Sequence, residues 1–212
     1  MSLIDIATQS GWYPFFLESV VHTLASDGIS HNILDIGCGN GKLASLLIAH
    51  NEKLDITGID IDNESVEKAR QQVYHKNVRI FHQKTSHSLQ FHDSEFDAVA
   101  FCSVLFLTDI GTRAKLLEEA FRVLKPGGKV VVLTPSGIKP CFTSVSEVWD
   151  FPYSRNNWTF PVWKAFTTHR ARKWMNSSWL EKYALQKGFS YHNSLEFNAN
   201  ATLEIIIKSK PI

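Results

Sequence analysis

The string ILDIGCGNGK at residues 33 to 42 constrains this chain more than any other. An apolar run ends in glycines at 37, 39 and 41, and a helical period then resumes at Lys42 through Leu43, Leu46 and Leu47. Strand, glycine turn and helix in that order belong to a layered α/β fold, in which the turn lets a ligand come close to the backbone.

The surrounding sequence keeps this rhythm. Residues 12 to 26 predict an amphipathic helix with Phe16, Val20 and Leu24 on one face, and NILDI at 32 to 36 predicts the first strand. LDITGID at 54 to 60 is the second strand, after which Asp62 or Asn63 caps a helix carrying Val66, Ala69 and Val73. VRIFH (78 to 82) and FDAVAFC (96 to 102) are β-rich, the second apolar on both faces like a buried parallel strand. RAKLLEEAFRVL (113 to 124) predicts a helix, Lys125 to Gly128 a purely structural turn, and KVVVLT a return to the sheet. Residues 136 to 177 show no clear period. Ser178 to Glu181 reads as a capping box for a short helix ending at Gly188, and SYHNSLEF and ATLEIIIKS read as an antiparallel hairpin closing the sheet edge. Such an alternation predicts a parallel sheet with right-handed crossovers and ligands at the carboxyl ends of its strands.

A length of 212 residues suits one domain. Its expected parts are an N-terminal helix or lid at 1–29, a cofactor-binding core at 30–135, an aromatic and basic insert at 136–178, and a helix with the closing hairpin at 179–212.

The glycine turn discriminates among ligands. A Walker loop needs four residues between its first glycine and the GK pair, but Gly37 and Gly41-Lys42 are separated by three, and Leu43 replaces the hydroxyl residue. A dinucleotide fingerprint wants a third glycine where Lys42 stands. Asp35, two residues ahead of Gly37, opposes a pyrophosphate on the helix N-terminus and favours a ligand whose near end is an ammonium and a sulfonium. S-adenosylmethionine has both and no phosphate. Asp60, at the end of the second strand, suits the ribose hydroxyls, and Ile61 the adenine face.

ILDIGCGNGKL, TGIDID, FDAVAFCSVLFLTD and EEAFRVLKPGGKVVVLTP, in that order and spacing, resemble the class I S-adenosylmethionine-dependent methyltransferases of the small-molecule (type 11-like) branch. The resemblance implies a doubly wound, mostly parallel seven-stranded sheet, a Rossmann-like methyltransferase fold, with an antiparallel C-terminal hairpin. It also implies cofactor contacts at Asp35, Gly37, Cys38 and Gly39 for the methionine end, Asp60 and Ile61 for the nucleoside, Thr85 and Ser86 for the adenine edge, and Cys102 and Ser103 at the end of the fourth strand. Thr85 departs from the pattern, because the family commonly has an aspartate there; modest cofactor affinity is the expectation.

A sulfonium is already a methyl donor, so alignment is the main task of the protein, and a dedicated base is optional. His87 is the better candidate base, while His82 and His92 read as solvent-facing; there is no HxxxH spacing, and no metal is expected. Cys102 and Cys38 read as small apolar fillers.

Substrate information should lie in the aperiodic part. Residues 149 to 179 hold five of the six tryptophans, with Arg155, Lys164, Arg170, Arg172 and Lys173. A flap whose rings bound an apolar pocket and whose cations attract an anionic or aromatic small-molecule acceptor is one reading, with Trp158, Trp163, Arg170 and, from the N-terminal helix, Tyr13 as contacts. The other is that the rings are the core of a helical insert, with HRARK on its wet face. A net charge of +1 argues against nucleic acid as the methyl acceptor, and the longest apolar run, AVAFCSVLFL, is too short to span a membrane. Three unpaired cysteines suggest a reducing, cytoplasmic setting. Three rivals remain: a non-catalytic S-adenosylmethionine-binding subunit of a heteromeric enzyme, a nucleic-acid methyltransferase, and a nicotinamide dehydrogenase.

Overall fold

The computed structural model describes residues 3–25, 32–85 and 88–209. Two helices, α1 (Leu3–Thr8) and α2 (Tyr13–Ala25), precede the alternating part: β1 (Asn32–Ile36), α3 (Lys42–His50), β2 (Asp55–Asp60), α4 (Asn63–Gln72), β3 (Val78–His82), β4 (Phe96–Cys102), α5 (Ile110–Val123) and β5 (Leu124–Pro135). Then come a short α6 (Ser144–Glu147), the long α7 (Thr159–Ser177), α8 (Trp179–Gln186), β6 (Ser190–Glu196) and β7 (Ala201–Ile207). The sheet runs β3-β2-β1-β4-β5-β7-β6. β1 to β5 are parallel, and β7 lies antiparallel to both β5 and β6. This is the expected seven-stranded, doubly wound arrangement.

Side-chain alternation divides the core in two. Ile33, Ala98, Ala100, Val131 and Leu133 point toward α2 and α3, where Trp12, Phe16, Val20 and Leu24 are fully buried. Leu34, Val99, Phe101, Val130 and Val132 point the other way, onto Leu116, Leu117 and Ala120 of α5 and Leu180 and Ala184 of α8. Asp62 caps α4 by accepting from the Glu64 and Ser65 amides. Asp109 caps α5 through Thr112 N, so that helix starts three residues before Arg113; Ile110 is exposed in its first turn, which leaves no apolar signal there.

Three expectations need correction. Lys125 to Gly128 is not a separate turn: β5 already begins at Leu124 opposite Phe96, and pairing resumes at Ala98 with Lys129, so KPGG is an outward bulge in the strand. Gly127 (φ 80°) donates to Lys208 O, and Lys208 N donates to Gly128 O, which ties the bulge to the end of β7. Ser178 makes no capping bond; it sits at φ 45° as the left-handed break between α7 and α8, and the hydroxyl that accepts from Trp179 N belongs to Ser177. The third concerns 136 to 177, which contains a 19-residue helix. Its buried positions, Thr159, Phe160, Lys164, Ala171 and Trp174, include two polar residues, so no apolar stripe marks it.

Candidate cofactor site

The glycine turn is held to the end of β2. Gly37 N and Cys38 N both donate to Ile59 O, at 2.8 and 3.0 Å. Gly39 N donates to Asp60 Oδ2 at 2.8 Å, while Asp62 N donates to Asp60 Oδ1 at 2.9 Å. Asp60 is therefore a fastening of the turn as well as a candidate ligand contact, with the second lone pairs of both oxygens still available. At Gly37 (φ 78°) a Cβ would lie 2.4 Å from Val104 Cγ2, so the turn and the segment after β4 touch. Above Gly39 (φ 53°) there is nothing within 4 Å of a Cβ, and the backbone there is open to a ligand.

Asp35 lies on β1 just before this turn and is 1% exposed. Its Oδ1 has no hydrogen-bond partner. Burial, with the Asp60 carboxylate as the second cause, raises its pKa to about 7. Tyr13 and Cys102 share this surrounding: burial raises both, and the charge of Asp35 adds to each. The Cys38 thiol is raised by burial and then by Asp35 and Asp60. None of the three is a ready thiolate or phenolate, in keeping with the reading of the cysteines as fillers.

A cavity of about 90 Å³ opens beside Asp60, walled by Ile36, Ile59, Ile61, Thr85, Leu89 and Val104. Ile61 is exposed at its mouth. Gln83, buried one residue past β3, donates from Nε2 to Thr85 O and Ser88 O and so shapes the loop bearing Thr85. Sequence reading missed Gln83, although an amide directly after a strand end was a visible signal. Ser86 and His87 lie outside the described residues. His82 and His92 are exposed, and His82 Nε2 meets Ile61 O at 3.2 Å. Ser103, at φ 60°, has a buried Oγ without a partner. Among the described residues there is no cluster of three metal-ligating side chains and no helix long and apolar enough to cross a membrane.

The N-terminal cover comes from α1, which the sequence did not reveal. Asn40, inside the glycine turn, donates to Thr8 Oγ1, and Lys68 of α4 reaches the buried Asp5 at 2.7 Å. α2 packs on the sheet instead. Trp12, between the two helices, is fully buried and donates to Thr159 Oγ1 at 2.9 Å.

The structure does not gather the other substrate candidates into one flap. Trp163 packs against Trp12, Phe16 and Phe160 at 5.0, 5.1 and 6.0 Å, within the core. Trp158 stands half-exposed just before α7, and Arg170 is exposed farther along that helix. Lys164 is internal: it donates to Asn200 Oδ1 at 2.8 Å and lies 3.8 Å from Glu147, whose other oxygen pairs with Lys139. Arg172 donates to Gly137 O. Of the five basic residues named above, Lys164 and Arg172 thus serve the fold.

The open turn, the unpartnered acid before it and the cavity beside Asp60 lie together at the carboxyl ends of β1 and β2, as a nucleoside-binding α/β domain requires. Residues 33–128 match the family described as "Methyltransferase domain". The chain is 33% identical over 126 residues to 27-O-demethylrifamycin SV methyltransferase of Amycolatopsis mediterranei, covering 55% of this chain and 45% of that protein. It is 31% identical over 136 residues to the ubiquinone/menaquinone biosynthesis C-methyltransferase of Geotalea daltonii, covering 62% and 54%. A crystal structure of a Methanococcus maripaludis protein superposes with a TM-score of 0.72 at 19% identity, covering 99% of this chain and 92% of that one. Over residues 33–128 the chain is similar to methyltransferase domains, whose expected cofactor is S-adenosylmethionine, and it shares the fold of the Methanococcus maripaludis protein. It spans about half the length of the curated relatives it matches.

The residues present fit that cofactor. A buried carboxylate oxygen lacking a partner calls for a cationic hydrogen-bond donor, and two acids flanking the turn disfavour a diphosphate.

Proposed function

We propose that this protein transfers a methyl group from S-adenosylmethionine to a small-molecule acceptor. The observation that carries this is Asp35: its Oδ1 is buried and unpaired beside an open glycine backbone, a costly arrangement unless a cation completes it. When bound, the cofactor supplies an electrophilic methyl on a sulfonium. Asp35, Gly37, Cys38 and Gly39 would hold its amino-acid end. Asp60 and Ile61 would hold ribose and adenine, Thr85 and Ser86 the adenine edge, and Cys102 and Ser103 would close the chamber over β4. Tyr13, held as the neutral phenol by burial, acts as a hydrogen-bond donor there and not as a base.

Cover from α1, tied to the glycine turn where Asn40 donates to Thr8 Oγ1, would limit water, and fixed geometry can provide ~7–11 kcal/mol of barrier lowering. The relatives include a 27-O-demethylrifamycin SV methyltransferase and a C-methyltransferase, so the atom methylated here is part of what the test must find. The test has two stages. S-adenosylhomocysteine should raise the melting temperature where NAD does not; labelled methyl from S-adenosylmethionine should then enter a small molecule from a metabolite extract. Stabilisation by NAD alone would refute the cofactor assignment, and binding without any methyl transfer would favour a non-catalytic subunit.

Two smaller expectations follow from the same groups. Thr85→Asp, on an exposed edge of the cavity, should tighten S-adenosylhomocysteine by about tenfold, the scale of a charge-assisted hydrogen bond. An unchanged dissociation constant on calorimetry would remove Thr85 from the adenine edge. Because Asp35 binds a proton near pH 7 in the free protein and must be ionised to meet a cation, cofactor affinity should fall as pH drops below about 7. The fall approaches tenfold per pH unit, and affinities that stay level from pH 7.5 to 5.5 would contradict it.

A further inference from the structure

The stretch that follows β5 is folded with its polar side inward. α6 and the 3-10 turns on either side of it form one continuous helical run from Cys141 to Asp150. Ser144 and Glu147 are its buried side chains; Glu147 accepts from Lys139 at 3.0 Å and from Asn200 at 2.8 Å, and the buried Lys164 lies 3.8 Å away. The opposite face carries Phe142, Val145 and Trp149, spaced i, i+3, i+7 and exposed by 77, 65 and 87%. Tyr153 follows at 91%. Rolling the run over would take Glu147 away from Asn200 and leave Lys164 buried without a counter-charge, which is strongly destabilising. The apolar face is thus fixed outward, where it costs free energy unless something covers it.

The geometry points to this face as a docking surface for an anionic lipid bilayer, entered by Phe142, Val145, Trp149 and Tyr153 in the manner of an interfacial helix. Three observations favour lipid over a folded partner. Rings exposed to this degree stand clear of their neighbours, so a protein would need a separate pocket for each, whereas a fluid acyl region receives them singly. Tryptophan and tyrosine are also the residue types that settle at the boundary between head groups and hydrocarbon. The charge is complementary to anionic head groups: residues 136–177 hold six lysines and arginines against two acids in a chain of net charge +1, and one of those acids, Glu147, is taken up by Lys139 and Lys164. Arg155 stands two residues past Tyr153, and Arg170 and Lys173 share an exposed stripe of α7 with Phe166. None of these three cations has an ion-pair partner among the described residues. A run this short, with a polar back, cannot span a bilayer, so the attachment is peripheral. It stands apart from the methyltransferase reading and does not depend on it.

The test uses the full chain and vesicles of phosphatidylcholine, alone or mixed in equal parts with phosphatidylserine. Wild type should sediment with the mixed vesicles in preference to the neutral ones, and at least about tenfold more strongly than the Phe142→Ser/Trp149→Ser double variant. Both substitutions are at exposed positions, so the double variant should melt within about 3 °C of wild type. A second measurement uses the milder Trp149→Phe, which keeps an aromatic ring. Mixed vesicles with brominated acyl chains should quench wild-type tryptophan fluorescence, and Trp149→Phe should lose most of that quenching. No attachment to the mixed vesicles, equal attachment to both kinds, equal attachment of wild type and double variant, or quenching unchanged by Trp149→Phe would each overturn the proposal. Self-association of the chain in solution that the double variant abolishes would also overturn it, and would give the face to a second copy.

Discussion

Asp35→Asn should make the protein more stable and less able to take up its cofactor. The carboxyl ordinarily titrates at 3.8 but is held to about 7 in the fold, a difference equivalent to about 4 kcal/mol of disfavour for the ionised form. Because the folded value is raised, the unfolded chain releases its proton first. Between pH 4 and pH 7 the native state therefore binds more protons than the unfolded one, and stability declines as pH rises through that window. The amide removes this decline but leaves a neutral buried group without a partner, so the net gain at pH 7.5 should be about 1–3 kcal/mol, or about 3–8 °C in melting temperature. The same variant should lose the stabilisation that S-adenosylhomocysteine gives the wild type. Melting curves at pH 5 and pH 7.5, with and without that ligand, test both halves; a variant that melts lower at pH 7.5 yet still responds to ligand would reverse the assignment.

Trp12→Ala should have the largest effect on stability. The indole is fully buried, touches Phe16, Phe160, Trp163 and Phe197, and donates to Thr159. Truncation opens a cavity in this cluster and should cost about 3–5 kcal/mol, so that the melting temperature falls by about 10 °C or more. Trp12→Phe keeps most of the packing and forfeits the hydrogen bond, for a loss of about 1–2 kcal/mol. Urea titration of the three proteins measures the difference. A change under 1 kcal/mol for the alanine variant would mean that the N-terminal segment is not seated as described.

The parts of the fold that sequence reading recovered are those with a local signature. β1, β3 and β4 span the residues read as strands, and α3 spans the residues its leucine period marks. The glycine turn was legible because its residues are specialised for conformation, and Asp35 and Asp60 because they stand at fixed offsets from strand ends. What escaped depends on distant partners. α7 hides its helical period because Lys164 is buried against Glu147 and Asn200, one upstream and one 36 residues downstream. Ser178 has the residue type of a cap, but the handover from α7 to α8 puts it in a left-handed conformation, and Ser177 does the capping. The same holds for the rings. Composition marked 149 to 179 as aromatic, yet only tertiary packing assigns Trp163 to the core and Trp174 to a buried hydrogen bond with Glu204.

The turn joining β6 to β7 carries three successive left-handed residues, Phe197, Asn198 and Ala199. Such a run is costly for side chains with a Cβ, and it sets the Phe197 ring against Trp12 at 6.3 Å and Phe151 at 5.5 Å. The beginning and the last hairpin of the chain therefore share one seat, separated by most of the sequence. A ribosome would have to release the hairpin before Trp12 could settle into that seat, so a firm N-terminal segment should form only after residues 197 to 199 have emerged.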